Sequence, residues 1–157
     1  MVPSLLFDIS KINLDHVQFG VDEIEKINPH RGHMRLIDGI NYMSDDLERI
    51  VAFKDVRADE FWVPGHIPGR PLFPGVLMIE AAAQVASFVA IKRLPGAAFI
   101  GFAGVDEVKF RGQVVPGDRL VLLGMGIDFR PRRIICQAQG LLRGTIVFEA
   151  KITGMPF

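Results

Sequence analysis

Residues 65–84 read GHIPGRPLFPGVLMIEAAAQ and join a loop rich in proline and glycine to a nearly all-apolar segment. Proline fixes φ and cannot donate a backbone hydrogen bond, whereas glycine permits backbone angles and close approaches that other residues do not. We interpret the loop as a rigid support that holds His66 in a set place. The alternative is a connection between two core elements that happens to contain a histidine.

The apolar segment predicts a buried helix. We expect it to begin near Pro74 or Gly75, because proline is tolerated in a first turn, and to end before Pro95. Its apolar residues occupy nearly every face, which is typical of a helix enclosed by other elements. Glu80 and Gln84 lie one turn apart and share a side. A carboxylate in such a helix is costly unless it is hydrogen-bonded or paired, so Glu80 is a second candidate functional residue.

The rest of the chain predicts a short helix and a series of antiparallel strands. The helix covers residues 21–27 and stops at Asn28 and Pro29, and turn signals at Pro131 and Gly144 indicate hairpins. We therefore expect a single α+β domain over residues 1–157, in which an antiparallel sheet of five or six strands wraps the long helix. Residues 1–20 form an N-terminal extension of unassigned role. The segments that read as strands, from which this sheet would be built, are residues 36–42, 49–56, 98–103, 107–110, 119–125, 133–138 and 145–152.

The composition is that of a globular protein, since 49% of the 157 residues are hydrophobic and 23% are charged. The formal net charge of +0 argues against a nucleic-acid-binding protein.

The longest apolar stretch, residues 76–91, contains Glu80 and Gln84 and is shorter than the roughly 20 residues that span a bilayer, so we expect no membrane insertion. The N-terminus lacks the basic region of a signal peptide, and the single cysteine, Cys136, fits a reducing compartment. These features favour a cytoplasmic protein.

Two short motifs that precede the histidine loop also contain candidate site residues. Residues 30–33 read HRGH, and the spacing of His30 and His33 suggests metal ligands as one interpretation. No cysteine or carboxylate cluster completes a ligand set in the sequence, so we expect structural or supporting histidines and no metal. Residues 61–63 read FWV and lead into the histidine loop, where they either wall an apolar pocket or pack in the core.

The candidate residues supply the parts for acid–base chemistry. A histidine with an ordinary pKa of about 6.5 accepts a proton readily at neutral pH. A helix N-terminus offers free N–H groups and a positive dipole end, which here belong to Gly75 and Val76. Together they suit the removal of a proton next to a carbonyl group whose oxygen gains negative charge. The sequence has no recognisable serine or cysteine nucleophile motif, phosphate-binding loop or Rossmann pattern, so the residues alone indicate the chemistry and not the reaction.

Residues 65–84 resemble the signature of the 3-hydroxyacyl-[acyl-carrier-protein] dehydratases of the FabZ type. The related dehydratase/isomerase branch usually has aspartate in place of Glu80, so the glutamate favours a dehydratase without isomerase activity. The resemblance covers roughly residues 21–123. Three further segments that are similar to the family are residues 28–31 (NPHR), 102–110 (FAGVDEVKF) and 114–118 (VVPGD).

The resemblance implies a hot-dog fold, in which a sheet wraps one long helix. It also implies a homodimer, often assembled further as a trimer of dimers, with active sites shared between subunits. His66 of one subunit would face Glu80 of the other. His66 would remove the α-proton of the substrate, Glu80 would help the hydroxyl group leave, and Gln84 would orient Glu80. The Gly75 N–H group, with Val76 nearby, would hold the thioester oxygen.

By the same resemblance, acyl-carrier protein delivers a 3-hydroxyacyl thioester, which becomes a trans-2-enoyl thioester in fatty acid biosynthesis, and no cofactor is needed. The expected pocket wall consists of Trp62, Val63, Ile67 and Phe73. Basic residues at the pocket mouth would suit the acidic carrier protein. The candidates are Arg111, Arg130, Arg132 and Arg133, with a solvated sheet edge as the alternative.

Several positions depart from the family's usual pattern, namely residues 32–34 (GHM), residues 63–64 (VP) and Ile67. They leave the acid–base pair intact and bear on the shape of the acyl tunnel.

Two other functions compete with dehydration. One is a hot-dog acyl-thioester hydrolase, in which Glu80 activates water and His66 has no clear task. The other is a non-catalytic protein that binds acyl chains or acyl-carrier protein.

Overall fold

In the computed structural model, which describes residues 2–157, six antiparallel strands form one sheet that wraps a long helix. The helices are α1 (Val21–Ile27) and α2 (Gly75–Arg93). The strands are β1 (Gly39–Met43), β2 (Arg49–Asp55), β3 (Ile100–Phe110), β4 (Arg119–Arg130), β5 (Arg133–Leu142) and β6 (Thr145–Pro156). Their order across the sheet is β1-β2-β4-β5-β6-β3, so β1 and β3 are the edge strands. The prediction of an α+β hot-dog fold is confirmed.

The core helix α2 begins and ends where the sequence predicts. Pro74 precedes its first residue in an extended conformation, and its carbonyl oxygen accepts hydrogen bonds from the N–H groups of Leu77 and Met78. By length and composition alone α2 could cross a membrane, yet 56% of its apolar window is buried inside the fold, as expected of a core helix. Gly124 on β4 lets the helix approach the sheet, because a Cβ atom there would lie only 3.0 Å from the Val85 side chain.

Strand β3 differs most from the prediction, since residues 98–103 and 107–110 belong to one strand and not to two. The register of β3 against β6 shifts between Phe102 and Gly104 and again between Asp106 and Lys109. Glu107, inside the second shift, has a φ angle of 53°. Bulges of this kind interrupt the alternation of inward and outward side chains. A pattern with a period of two therefore breaks inside β3, and the sequence predicts two short strands.

The N-terminal extension lies on the outer face of the sheet, and we call residues 4–19 the N-terminal strap. The buried Gln139 side chain accepts a hydrogen bond from the Leu6 N–H group and donates one to the Ser4 carbonyl oxygen, both at 2.9 Å. The buried Asn41 amide donates to the carbonyl oxygens of Leu14 and His16 at 2.9 and 2.8 Å. Five apolar strap residues pack on Val51, Leu123, Leu141 and Ile146 of the outer face; they are Leu6, Phe7, Ile9, Ile12 and Leu14.

The strap covers the outward-facing Val51 and so helps to explain why β2 is buried on both faces although the sheet is antiparallel. An antiparallel sheet usually alternates between core-facing and solvent-facing residues. In β2 the five residues from Ile50 to Lys54 are all buried. Val51 points outward and is covered by the strap, whereas Ile50 and Ala52 belong to the main core. A local strand pattern does not reveal this second layer, because the covering residues are far away in the sequence.

Removal of residues 2–14 is expected to destabilise the fold. The strap contributes half-buried apolar side chains, and the cost of ordering it opposes their burial, so we expect the free energy of unfolding to fall by about 2 kcal/mol. Urea unfolding followed by the fluorescence of Trp62, the single tryptophan, measures the change. The matched point variants are Ile12→Ser, which should lose part of this stability, and Val17→Ser, which should not, because Val17 is exposed. Equal stability of the truncated and full chains would contradict the prediction.

Candidate active site

His66 lies at the surface of a turn-rich loop between β2 and α2. Its backbone N–H group donates to the Trp62 carbonyl oxygen at 2.9 Å. Its ring Nδ1 atom lies 2.7 Å from the carbonyl oxygen of Leu72. A carbonyl oxygen only accepts hydrogen bonds, so in the neutral ring Nδ1 carries the proton and Nε2 keeps its lone pair. The loop thus presents an exposed histidine whose free nitrogen can accept a proton.

The loop is anchored by aromatic packing beneath His66. The Phe73 N–H group donates to the Val114 carbonyl oxygen at 2.8 Å. The rings of Trp62 and Phe73 are buried and meet edge to face with centroids 5.4 Å apart. The Trp62 indole N–H donates to Glu60 at 2.6 Å, and the other oxygen of Glu60 forms a buried ion pair with Lys54. A polar network inside the core therefore fixes the segment on which His66 stands.

Glu80 lies on the second turn of α2 and is half-buried. Gln84, which is buried, donates from its Nε2 atom to Glu80 Oε1 at 3.0 Å and to the Met34 carbonyl oxygen at 2.6 Å. The Gln84 Oε1 atom accepts a hydrogen bond from the Leu36 N–H group at 3.0 Å. Gln84 therefore connects the Glu80 carboxylate to the segment that precedes β1.

His30 is a neighbour of Glu80 that the sequence did not assign to the site. Its Nε2 atom lies 3.6 Å from Glu80 Oε1. Burial lowers the pKa of His30 below its ordinary value of 6.5, and the negative charge of Glu80 opposes this change only in part. His33, by contrast, is exposed and lies beside the Phe61 ring. The sequence singles out His30 through the HRGH motif and through the resemblance of residues 28–31 to the family, but fifty residues separate it from Glu80, so neither feature predicts that the two side chains are neighbours.

The N-terminus of α2 provides backbone donors near the surface. The N–H groups of Gly75 and Val76 are the first two of the helix and have no acceptor within it. A Cβ atom on Gly75 would lie 2.9 Å from the Phe110 ring, so glycine lets this ring lie against the helix start. The positive end of the helix dipole adds to the attraction of these groups for an oxygen that gains negative charge.

A narrow cavity of about 40 Å³ lies beside Glu80. It is too small for an acyl chain, and Ile100, Gly101 and Phe102 of the edge strand β3 are among the residues that line it. The residues that line it are mostly apolar; they include His30, Ala83, Ile100, Phe102, Ile134 and Gly154. Within residues 2–157, His66 does not line this cavity and forms no hydrogen bond or ion pair with Glu80. One chain therefore presents the two predicted catalytic residues separately.

The residues predicted to form the pocket wall differ in their burial, and most of the candidate arginines are already paired. Trp62 and Phe73 are buried beneath the loop, Val63 is partly buried, and Ile67 is exposed. Ion pairs involve three of the four candidate arginines; Arg111 pairs with Glu149, and Arg130 and Arg133 pair with Asp128.

Among residues 2–157 we find no second catalytic centre at Cys136 and no metal-binding centre. Burial raises the pKa of the Cys136 thiol to about 12, so this residue is not a thiolate nucleophile. In the part of the chain that the structure describes, no three histidine, cysteine, aspartate or glutamate side chains are grouped so that they could hold a metal ion.

A solved structure with the same fold is the dehydratase heterocomplex ApeI:P from Xenorhabdus doucetiae. It matches 85% of this chain and 90% of its own chain with a TM-score of 0.72. The sequence identity is 17%, so this likeness shows the fold alone.

Sequence comparisons identify closer relatives. The 3-hydroxyacyl-[acyl-carrier-protein] dehydratase FabZ of Desulforamulus reducens is 48% identical over 64% of this chain and 70% of its own length. The enzyme of the same name from Thermotoga neapolitana is 36% identical over 84% of this chain and 93% of its own length. The bifunctional enzyme LpxC/FabZ of Chlorobaculum tepidum is 39% identical over 87% of this chain, which spans only 29% of that longer protein. The family model of the FabA-like domain matches residues 28–151. The chain belongs to the FabA-like domain family and, within it, to the FabZ-type dehydratases.

Proposed function

We propose that this protein removes water from a 3-hydroxyacyl thioester on acyl-carrier protein and forms the trans-2-enoyl thioester in fatty acid biosynthesis. The observation that carries the proposal is the hydrogen bond between His66 Nδ1 and the Leu72 carbonyl oxygen, which leaves Nε2 as a proton acceptor. The names of the relatives specify this reaction for those proteins. The proposal includes a cytoplasmic location and a reaction without a cofactor.

The reaction begins at the carbon next to the thioester carbonyl. His66 Nε2 takes the α-proton, and the negative charge that develops on the carbonyl oxygen is held by the N–H groups of Gly75 and Val76. The electron pair then forms the double bond between the α and β carbons as the bond from the β carbon to its hydroxyl oxygen breaks. The departing hydroxyl group takes up a proton from Glu80 in its carboxylic acid form and leaves as water, and solvent water then carries the proton held by His66 back to Glu80.

We also propose that two chains share each active site. Strand β3 has eleven residues, pairs with β6 alone among residues 2–157, and exposes Phe102 and Phe110. Long apolar edge strands readily pair with another chain, so a second copy is the natural occupant of this edge. Because three residues of β3 line the cavity beside Glu80, a partner chain paired at this edge would bring its own histidine loop close to that cavity. A trimer of such dimers is a further part of the proposal.

Acyl-carrier protein is the proposed substrate carrier, as the names of the relatives indicate for those enzymes. Carboxylates already pair with Arg111, Arg130 and Arg133. Arg132 forms no ion pair with any residue in the range 2–157. It is therefore the best of the four candidates for contact with an acidic carrier.

A hydration assay tests the proposed reaction. The purified protein is incubated with a trans-2-enoyl thioester of acyl-carrier protein, and we expect loss of the absorbance of the conjugated system without release of free thiol. The same assay over a series of acyl lengths measures chain-length preference. Release of thiol would identify a thioester hydrolase. Binding of acyl-carrier protein without either reaction would identify a non-catalytic protein, and both outcomes contradict the proposal.

A further inference from the structure

The two oxygens of the Glu80 carboxylate have different surroundings. Oε1 accepts the hydrogen bond from Gln84 Nε2 at 3.0 Å, and the same atom lies 3.6 Å from His30 Nε2. For Oε2 no hydrogen bond or ion pair is present within residues 2–157. The carboxylate is therefore held by one oxygen, and the other is free to meet a ligand.

The surroundings of His30 decide which of its nitrogens carries the proton. Its Nδ1 atom is buried and has no hydrogen-bond partner among the described residues. A neutral imidazole has one N–H donor and one acceptor nitrogen. A proton on Nδ1 would leave that donor unpaired and would turn a lone pair toward the Glu80 carboxylate, which is unfavourable on both counts. The favoured tautomer has its proton on Nε2, facing Glu80 Oε1.

The segment that carries His30 is fixed by hydrogen bonds on both sides. The Arg31 guanidinium donates to the carbonyl oxygens of Asn28 and His30, both at 2.8 Å, and to that of Glu25. The buried Asn28 side chain donates to the backbone carbonyl oxygen of Gln84 at 2.9 Å. The imidazole is thus attached to a segment that is itself bonded to α2, which keeps it close to Glu80.

We propose that His30 is a positioning residue for Glu80: with Gln84 it holds Oε1, so that Oε2 is the oxygen that meets the hydroxyl group of the substrate. The inference rests on the proposed function, in which Glu80 assists the departure of that group. The distance of 3.6 Å is slightly longer than a hydrogen bond. Hydrogen bonds at catalytic groups are often long in the free enzyme and shorten when substrate binds.

Three variants test the inference through activity. Misplacement of a catalytic group by about 1 Å can cost about 100-fold in rate. We therefore expect His30→Ala to lower kcat by about 10- to 100-fold, with KM changed by less than about twofold. His30→Gln should recover most of kcat, because an amide N–H group can reach Oε1. His33→Ala is the matched control, since His33 is exposed on the same segment, and its kcat should equal that of the wild type.

The pH profile separates positioning from a merely structural role. The charged groups that face His30 are Glu80 from α2 and Arg31 from its own segment. Protonation of His30 would add a positive charge beside Glu80, so the acid side of the kcat profile should differ between wild type and His30→Gln, which cannot titrate. Wild-type activity in His30→Ala overturns the inference. So does an equal loss in His30→Ala and His30→Gln with a raised KM.

A measurement without substrate keeps the inference separate from the proposed reaction. The side-chain ¹⁵N–¹H NMR spectrum of the four histidines, assigned with the His30→Ala variant, reports the tautomer of each ring. We expect His30 to carry its proton on Nε2 at pH 7 and its resonance to shift in Glu80→Ala. A proton on Nδ1, or no shift in that variant, overturns the inference whatever the enzyme catalyses. An enzyme that does not dehydrate, but shows the expected spectrum, overturns only the proposed function.

Discussion

Replacement of His66 with alanine is expected to lower kcat by about 10²- to 10⁴-fold, the range typical of a lost general base. The proposed function gives His66 the task of removing the α-proton, and His66 is the single histidine among residues 56–74, which connect β2 to α2. His66 is exposed, and the Leu72 carbonyl oxygen that its ring contacts lies in the same loop. The variant should therefore keep the wild-type midpoint of urea unfolding. His16→Ala, an exposed histidine on the strap, is the control and should keep full activity.

Mixed dimers extend this prediction to the shared site. His66→Ala and Glu80→Ala chains should each be inactive alone. When they are unfolded together and refolded, a mixed dimer contains one site that has lost both residues and one site with both intact. We therefore expect up to about a quarter of the wild-type activity from a statistical mixture, in which half of the dimers are mixed and each carries one intact site. If mass spectrometry shows mixed dimers and the mixture stays inactive, the two residues do not act across the interface.

Much of the fold follows from local chemistry, and the places where prediction was wrong have physical reasons. Pro74 and Pro95 limit α2 because proline restricts where a helix begins and ends, and Pro29 limits α1 in the same way. The sequence predicts two short strands where β3 is continuous, because the bulges of β3 break the alternation of its side chains. The N-terminal strap has no period of its own, since its side chains fill gaps on the outer face of a sheet formed by distant residues.

In the candidate site too, the sequence predicts features that depend on neighbouring residues and misses those that depend on residues far away in the chain. The sequence identified His66, Glu80 and Gly75 as separate features, because each stands out from its immediate neighbours. It did not reveal the hydrogen bond that fixes the His66 tautomer or the approach of His30 to Glu80. Both depend on how distant or looped segments meet in three dimensions. Glu60 and Lys54 were missed for a further reason, since charged residues near a loop usually face solvent.

Replacement of Lys54 with methionine is expected to have the largest effect on stability. The side chains of Lys54 and Glu60 are only 4% and 7% exposed, so the variant leaves the Glu60 carboxylate buried without its cation. Removal of one partner of a buried ion pair typically costs about 3–5 kcal/mol. We expect a loss of this size in the free energy of unfolding, measured by urea unfolding with Trp62 fluorescence. Arg57→Met is the control, because the Arg57–Asp59 pair is exposed and should contribute less than about 1 kcal/mol.

A double variant shows whether the cost arises from the unpaired charge. Glu60→Gln removes the charge but keeps an oxygen that can accept the hydrogen bond of the Trp62 indole. Lys54→Met combined with Glu60→Gln should therefore recover about 2 kcal/mol of the stability that Lys54→Met loses. Because the Trp62 carbonyl oxygen accepts the hydrogen bond of the His66 N–H group, Lys54→Met should also lower kcat, and the double variant should restore kcat together with stability. If stability recovers and kcat does not, Lys54 acts on the reaction by a route other than the support of the histidine loop.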